Sequence, residues 1–347
     1  IFKIIKEELK EIQEKYGDER RSEIIDTTTE ISLEDMIVEE DMVVTISSTG
    51  YIKRNPISMY KAQRRGGKGI KGMSVKEEDY IVDLYVASTH DYLLFFTELG
   101  KVHWLKVHAI PQYGRASKGT AIVNLLHLQK EEKLAAIVPV KKFEEGRFLV
   151  MGTKKGIIKK TSLMAFSNPR TAGIIALTID KGDHLIDVKQ SNGEKKIFLG
   201  TKNGMAILFN EKEVRPIGRA GRGVRGITLK KDDEVVGMEV IGEQATALTI
   251  TEKGFGKRTD SSEYRVQSRG GKGVINIKAS SRNGKVVSVK IVSNEDQLMV
   301  ISSDGNIIRM RVNEISTIGR NTQGLRLVSL KEGTKVVDMA RVVEKEE

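Results

Sequence analysis

A chain of 347 residues, 39% hydrophobic and 30% charged, carries enough apolar side chain for a sizeable core. It has no cysteine, which excludes disulfides and thiolate sites and suits a cytoplasmic protein, and no run reaches transmembrane length. The formal net charge is +11, yet residues 1–42 hold six Lys+Arg against 14 Asp+Glu, so the cationic surplus lies further along.

Ile1 to Tyr16 reads as a helix, with apolar residues at positions 1, 5, 9, 12 and 16 and Gly17 as its C-terminal cap. No signal peptide is expected, and the opening Ile1 in place of Met leaves room for an upstream segment for the helix to pack on. Residues 18–42 read as a polar, acidic linker, either self-solvating or regulatory. Domain 1–42 is thus helix plus linker, and 43–347 is a second domain.

The second domain is repetitive. A glycine follows a short β-rich run at Gly50, Gly100, Gly156, Gly204, Gly254 and Gly305. A second follows at Gly69, Gly119, Gly173, Gly223, Gly273 and Gly324, 19 residues on except in the third unit, where the offset is 17. An apolar strand comes next in every unit, such as IVDLYV from Ile81 and VVGMEV from Val235. The units run over about 43–89, 92–142, 147–190, 195–241, 245–293 and 297–343. Each has four strand-like pieces; in the fourth they are KIFLGT, the MAILF run, VRGITL and EVVGMEVI. Four strands per roughly 50-residue unit is the pattern of radial blades, which leave few bare sheet edges. The expected fold is all-β, with six four-stranded blades and a short N-terminal helix. A linear β-solenoid ranks lower because its repeats are usually shorter.

Charge follows the same register. The six windows from first to second glycine hold 25 Lys+Arg and five Asp+Glu, so the rest of the chain is net acidic. In a ring, equivalent segments share a face or rim, and a basic band there fits a polyanion followed along a curve. The densest string is Gln63-Arg64-Arg65-Gly66-Gly67-Lys68-Gly69, with a near copy at 267–273. Its glycines bare amides as an anion nest and its cations match phosphate oxygens; read alone, it is equally a basic surface turn. The remaining candidates in the first three repeats are Lys53, Arg54, Arg115, Lys118, Lys159 and Lys160. The fourth adds Arg215, Arg219, Arg222 and Arg225; the fifth Lys257, Arg258, Arg265, Arg269 and Lys272; the sixth Arg309, Arg311 and Arg320.

QRRGGKG resembles the signature box of the C-terminal domain of DNA gyrase A, and the likeness extends over nearly the whole chain: YGDERRSEI, VVTISSTGYIKR at 43–54 and GTAIVNLL at 119–126 carry it too. The resemblance implies a six-bladed β-pinwheel with strands exchanged between neighbouring blades. It implies a non-catalytic, monomeric module that binds double-stranded DNA around its rim and wraps it. In that family the box lies at ring closure, and the wrap lets the holoenzyme of gyrase A and gyrase B introduce negative supercoils at the expense of ATP. Cofactors are then expected elsewhere in the holoenzyme, ATP on another subunit and magnesium also outside this domain, with the cleaving tyrosine in an upstream domain.

The residues agree with a module lacking chemistry. Gly67-Lys68 and Gly271-Lys272 are followed by glycine, so no Walker loop occurs. His90, His103, His108, His127 and His184 lack metal-ligand spacing, and Trp104 and most phenylalanines fall in strands, as core residues do. Two other readings stay open beside the DNA-wrapping one: the corresponding C-terminal domain of topoisomerase IV, and a propeller for protein recognition. An enzyme with a central funnel site has no acid–base constellation behind it.

Overall fold

The computed structural model describes residues 1–18, 33–47, 49–59, 81–114, 117–129, 132–304 and 306–342. These residues fall into two units, 1–38 and 39–347. In the first, α1 (Phe2–Tyr16) exposes all of its side chains. Gly17 ends the helix in an extended conformation (φ −71°, ψ 126°), not the left-handed turn usual for a glycine cap, and its N–H donates to the Gln13 carbonyl. A Cβ there would meet Gln13 O at 2.3 Å, so close approach selects the glycine.

The second unit begins at Glu39, ahead of the expected boundary, because β1 already starts at Asp41. It is a six-bladed β-propeller. Repeat 1 gives β1 (Asp41–Ser47), β2 (Tyr51–Pro56) and β3 (Ile81–Ser88). Repeat 2 gives β4 (Tyr92–Thr97), β5 (Lys101–Lys106), β6 (Thr120–Ala121) and β7 (Leu134–Val140). Repeat 3 gives β8 (Phe148–Thr153), β9 (Ile157–Ser162), β10 (Ile174–Ile175) and β11 (Leu185–Ser191). Repeat 4 gives β12 (Lys196–Thr201), β13 (Met205–Asn210), β14 (Val224–Arg225) and β15 (Val235–Ile241). Repeat 5 gives β16 (Thr246–Thr251), β17 (Phe255–Asp260), β18 (Val274–Ile275) and β19 (Val286–Val292). Repeat 6 gives β20 (Gln297–Ser302), β21 (Ile307–Arg311), β22 (Leu325–Arg326) and β23 (Val336–Val342).

A tight hairpin joins the first two strands of each repeat. Its glycine sits at positive φ in the five described cases, from +75° at Gly254 to +83° at Gly204. The long third strand of the blade pairs on the other side of the first strand, with a bulge at the same place in all six sheets, which sharpens the twist. These long strands face one another at the inner side of the ring, and β23 lies against β3, so the sixth blade meets the first.

The two-residue strands do not stay in their own blades. β6 pairs with β2, β10 with β5, β14 with β9, β18 with β13 and β22 with β17. Repeats 2 to 6 thus each close the outer edge of the blade before them, so VRGITL at 224–229 completes blade 3 rather than blade 4. The sixth sheet has three strands among the described residues, in the order β21-β20-β23. Five apolar clusters fill the seams between consecutive blades; Leu94, Phe96, Leu149 and Phe166, for example, join blades 2 and 3.

Candidate nucleic-acid interface

Five repeats build the outer edge, four of them in the same way; the third, two residues shorter between its glycines, lacks the bridge. After a short 3-10 turn the chain crosses to the preceding blade, with parallel bridges at Gln112–Arg54, Pro216–Lys160, Val266–Leu208 and Thr317–Arg258. A six-residue loop ending in the second glycine follows, then the exchanged strand. That glycine is compelled: at Gly273, φ is +74° and a Cβ would lie 2.4 Å from Ala206 O. Successive segments are stitched together. Thr228 N donates to Gly271 O at 2.9 Å and Lys278 N to Thr322 O at 2.8 Å. The Thr228 hydroxyl donates to Gly270 O at 2.7 Å, and Asn283 Nδ2 to Gln323 O at 2.9 Å. Loops 218–223, 268–273 and 319–324 therefore form one continuous band.

The band carries accessible cations. Arg215, Arg222, Arg225, Arg265 and Lys272 are exposed; Lys118, Arg219, Arg269 and Arg320 are half-buried. Several are already oriented. Arg222 Nε donates to Asp180 Oδ2 at 2.8 Å. Arg269 Nη1 donates to Arg225 O at 2.6 Å, Arg320 Nη1 to Ile275 O at 3.2 Å, and the Lys118 ammonium lies 3.7 Å from the centre of the Tyr51 ring. Arg309 and Arg311 are exposed on β21. Arg115 and Gln63–Gly69, with Arg64, Arg65, Gly66, Gly67 and Lys68, lie outside the described residues.

Five expected contacts are corrected. Lys53, Lys159 and Lys257 have no solvent exposure, Lys160 is 4% and Arg258 9% exposed, so none presents its charge at the surface. The reason is strand exchange, which lays the next repeat over the strand that carries them. Lys53 Nζ donates to Gly114 O and Ser117 O at 3.3 and 3.1 Å. Lys159 Nζ donates to Ala176 O at 2.6 Å and to Arg219 O. Lys257 Nζ donates to Gly319 O and Arg320 O, both at 2.7 Å. Burial pushes each of these three ammonium groups down to about 8. Lys160 Nζ reaches Glu211 O at 3.1 Å, and Arg258 Nε reaches Ile315 O at 2.5 Å. Arg54, half-buried, likewise spends its Nε on Ile110 O at 2.6 Å.

Two exposed cations on the band escaped the sequence reading: Arg170 in the third loop and Arg326 in β22. Arg326 follows its glycine by two residues, as Arg225 does, and that register was the available signal. Trp104 is half-buried and donates its indole N–H to Phe166 O at 2.9 Å, a seam contact rather than a platform for bases.

The pattern has known counterparts. The family described as DNA gyrase C-terminal domain, beta-propeller, matches six segments, residues 41–88, 91–141, 147–192, 195–241, 246–293 and 296–342. DNA gyrase A of Salmonella typhimurium is 45% identical over 99% of this chain, which covers 39% of that protein. DNA gyrase A of Haemophilus influenzae is 44% identical over the whole chain, which covers 43% of it. The chain thus spans about two-fifths of the length of these relatives. Among solved structures, the C-terminal domain of DNA topoisomerase IV superposes with a TM-score of 0.77 at 25% identity, covering 88% of this chain and 94% of that one. The DNA gyrase A C-terminal domain superposes at 0.70 and 26%, covering 88% and 100%.

Proposed function

Since the chain belongs to the DNA gyrase C-terminal domain family, we propose that it binds duplex DNA along its outer edge and bends the duplex around the ring. The observation that carries this reading is the stitched band of loops with accessible Arg215, Arg222, Arg225, Arg265 and Lys272 at a repeat of one blade. Cations on glycine-rich loops grip phosphates without reading bases, so recognition follows deformability rather than sequence. In the complete enzyme, with the rest of gyrase A and with gyrase B, the wrap presents a neighbouring duplex to the DNA gate in one handedness. ATP-driven strand passage then introduces negative supercoils. This domain contributes no catalytic group; the cleaving tyrosine, the ATP site and magnesium belong to other parts of that enzyme. The setting is the cytoplasm, on the nucleoid, and among the described residues no helix is long and apolar enough to cross a membrane.

The test is a salt titration of duplex binding with unrelated sequences of equal length. Contact with some 6–10 phosphates loses about 10³–10⁵ in affinity from 50 to 200 mM salt. Equal affinity across that range would refute the electrostatic reading. A strong preference for one sequence would refute the backbone grip.

A further inference from the structure

The buried lysines alternate. Three residues after the first glycine, the six repeats carry Lys53, His103, Lys159, Ile207, Lys257 and Ile308. Odd repeats place an ammonium there and even repeats do not. The loops laid over the lysines, 114–119, 218–223 and 319–324, all begin Gly-Arg, whereas 168–173 and 268–273 begin Asn-Pro and Ser-Arg. Two of the even-repeat sites are as dry as the lysine sites, His103 at 2% exposed and Ile207 not at all, while Ile308 is half-buried. Gly173 caps the His103 ring, both of whose nitrogens lack a partner, and burial holds that imidazole below its ordinary value.

Resting on the DNA-binding reading above, we infer that Lys53, Lys159 and Lys257 are positioning residues: each buried ammonium tethers the cationic loop of the following repeat and so presets one of three duplex grips, two blades apart. The geometry is direct. Lys257 holds the carbonyls of Gly319 and Arg320, Lys159 that of Arg219, so in two cases the tether lands on the peptide of the arginine itself. Lys53 holds its loop at Gly114 and Ser117. A charge-assisted donor under a loop carbonyl is a strong tether in a dry site. A tethered loop meets phosphate without the ordering cost that a loose one would bear. Loops 168–173 and 268–273, over imidazole and isoleucine, have no ammonium beneath them; loop 268–273 is held from its side instead, by Thr228 on Gly270 O and Gly271 O.

The experiment replaces Lys53, Lys159 and Lys257 by methionine, singly and together, in the whole chain, with Ile207→Met as the control at an untethered register. Fold is followed by circular dichroism, affinity by fluorescence anisotropy on a duplex of about 40 base pairs, and each grip by crosslinking from a probe placed on its loop. Each single variant is expected to weaken binding about two- to tenfold and to lose crosslinking at its own loop alone, with Ile207→Met unchanged. A second readout needs no variant. As pH rises through the range where these amines lose their protons, wild-type affinity falls while the dichroism holds, and the triple variant stays flat. The groups facing these amines are Arg219 at Lys159, Glu263 and Arg320 at Lys257, and at Lys53 the loop carbonyls. Should the variants fail to fold, the wild-type pH profile decides alone, and a flat one overturns the inference. Folded variants with wild-type affinity and crosslinks overturn it too, as does a loss spread evenly over all loops. Absence of duplex binding by the wild-type chain would instead overturn the DNA reading itself.

Discussion

Replacing Lys257 by methionine removes a charge from a site with no solvent exposure while keeping most of the volume. Burial lowers the ammonium from 10.5 to about 8; Glu263 opposes that shift and Arg320 adds to it. The unfolded chain keeps this proton up to its ordinary value of 10.5. Between those two values the unfolded state binds more protons than the folded one, so the stability contributed at this site rises with pH across that window and is constant below it. At about 1.4 kcal/mol per unit, the rise is on the order of 3 kcal/mol. Lys257→Met has no such proton, so the stability of the wild type relative to the variant should climb by about that amount. At neutral pH two effects oppose each other. Methionine relieves the buried charge, yet it leaves the carbonyls of Gly319 and Arg320 without this donor, about 1–3 kcal/mol each, so the two proteins should lie close together. Urea unfolding by circular dichroism, stepped from near-neutral pH to the ordinary lysine value, measures the difference. Parallel stability curves would mean that Lys257 does not carry a buried charge.

Changing Arg219, Arg222 and Arg225 together to alanine should weaken binding about equally on every duplex and lower the salt slope by up to about 3, one per phosphate contact; an unchanged slope would leave these side chains as loop solvation only. Asp180→Ala frees Arg222 from its carboxylate partner and should tighten binding about two- to threefold, since an exposed pair is worth under about 1 kcal/mol; anisotropy at low salt reads it, and weaker binding would contradict it. Gly273→Ala should cost about 2–4 kcal/mol by urea unfolding, from its φ of +74° and the 2.4 Å approach to Ala206 O. Gly218→Ala, with nothing within 4 Å, should cost well under half as much; equal losses would refute the glycine account.

Much of the ring was legible because its determinants are local. The first glycines mark hairpins, and the apolar runs after the second glycines are the inner strands. Strand exchange is a non-local choice. VRGITL reads as an ordinary strand piece, but only Val224 and Arg225 pair, and they do so with β9 of the blade before. The same exchange hid the fate of the lysines. Charge type placed Lys53, Lys159 and Lys257 at the surface, whereas the covering segment arrives from about 60 residues away, as from Lys159 to Arg219. The usable signal was the register itself, because Ile207 and Ile308 hold the same place and mark it as interior. The exposure of Arg222, Arg225 and Lys272 was legible because glycine-rich loops at a sheet edge leave long side chains in solvent.

Energy transfer between the ends of a bound duplex tests the wrapping claim most directly, read beside a binding curve on the same sample. At a curvature of ~45° per ten base pairs, a half-turn needs roughly 40 base pairs. At saturating wild-type chain the ends should approach well beyond the free duplex. The Arg64→Ala, Arg65→Ala, Lys68→Ala variant, which keeps most of the 25 cations of the six windows, should bind nearly as well and bring the ends together less. A duplex held tightly at saturation with its ends as far apart as in free DNA would contradict wrapping by this ring.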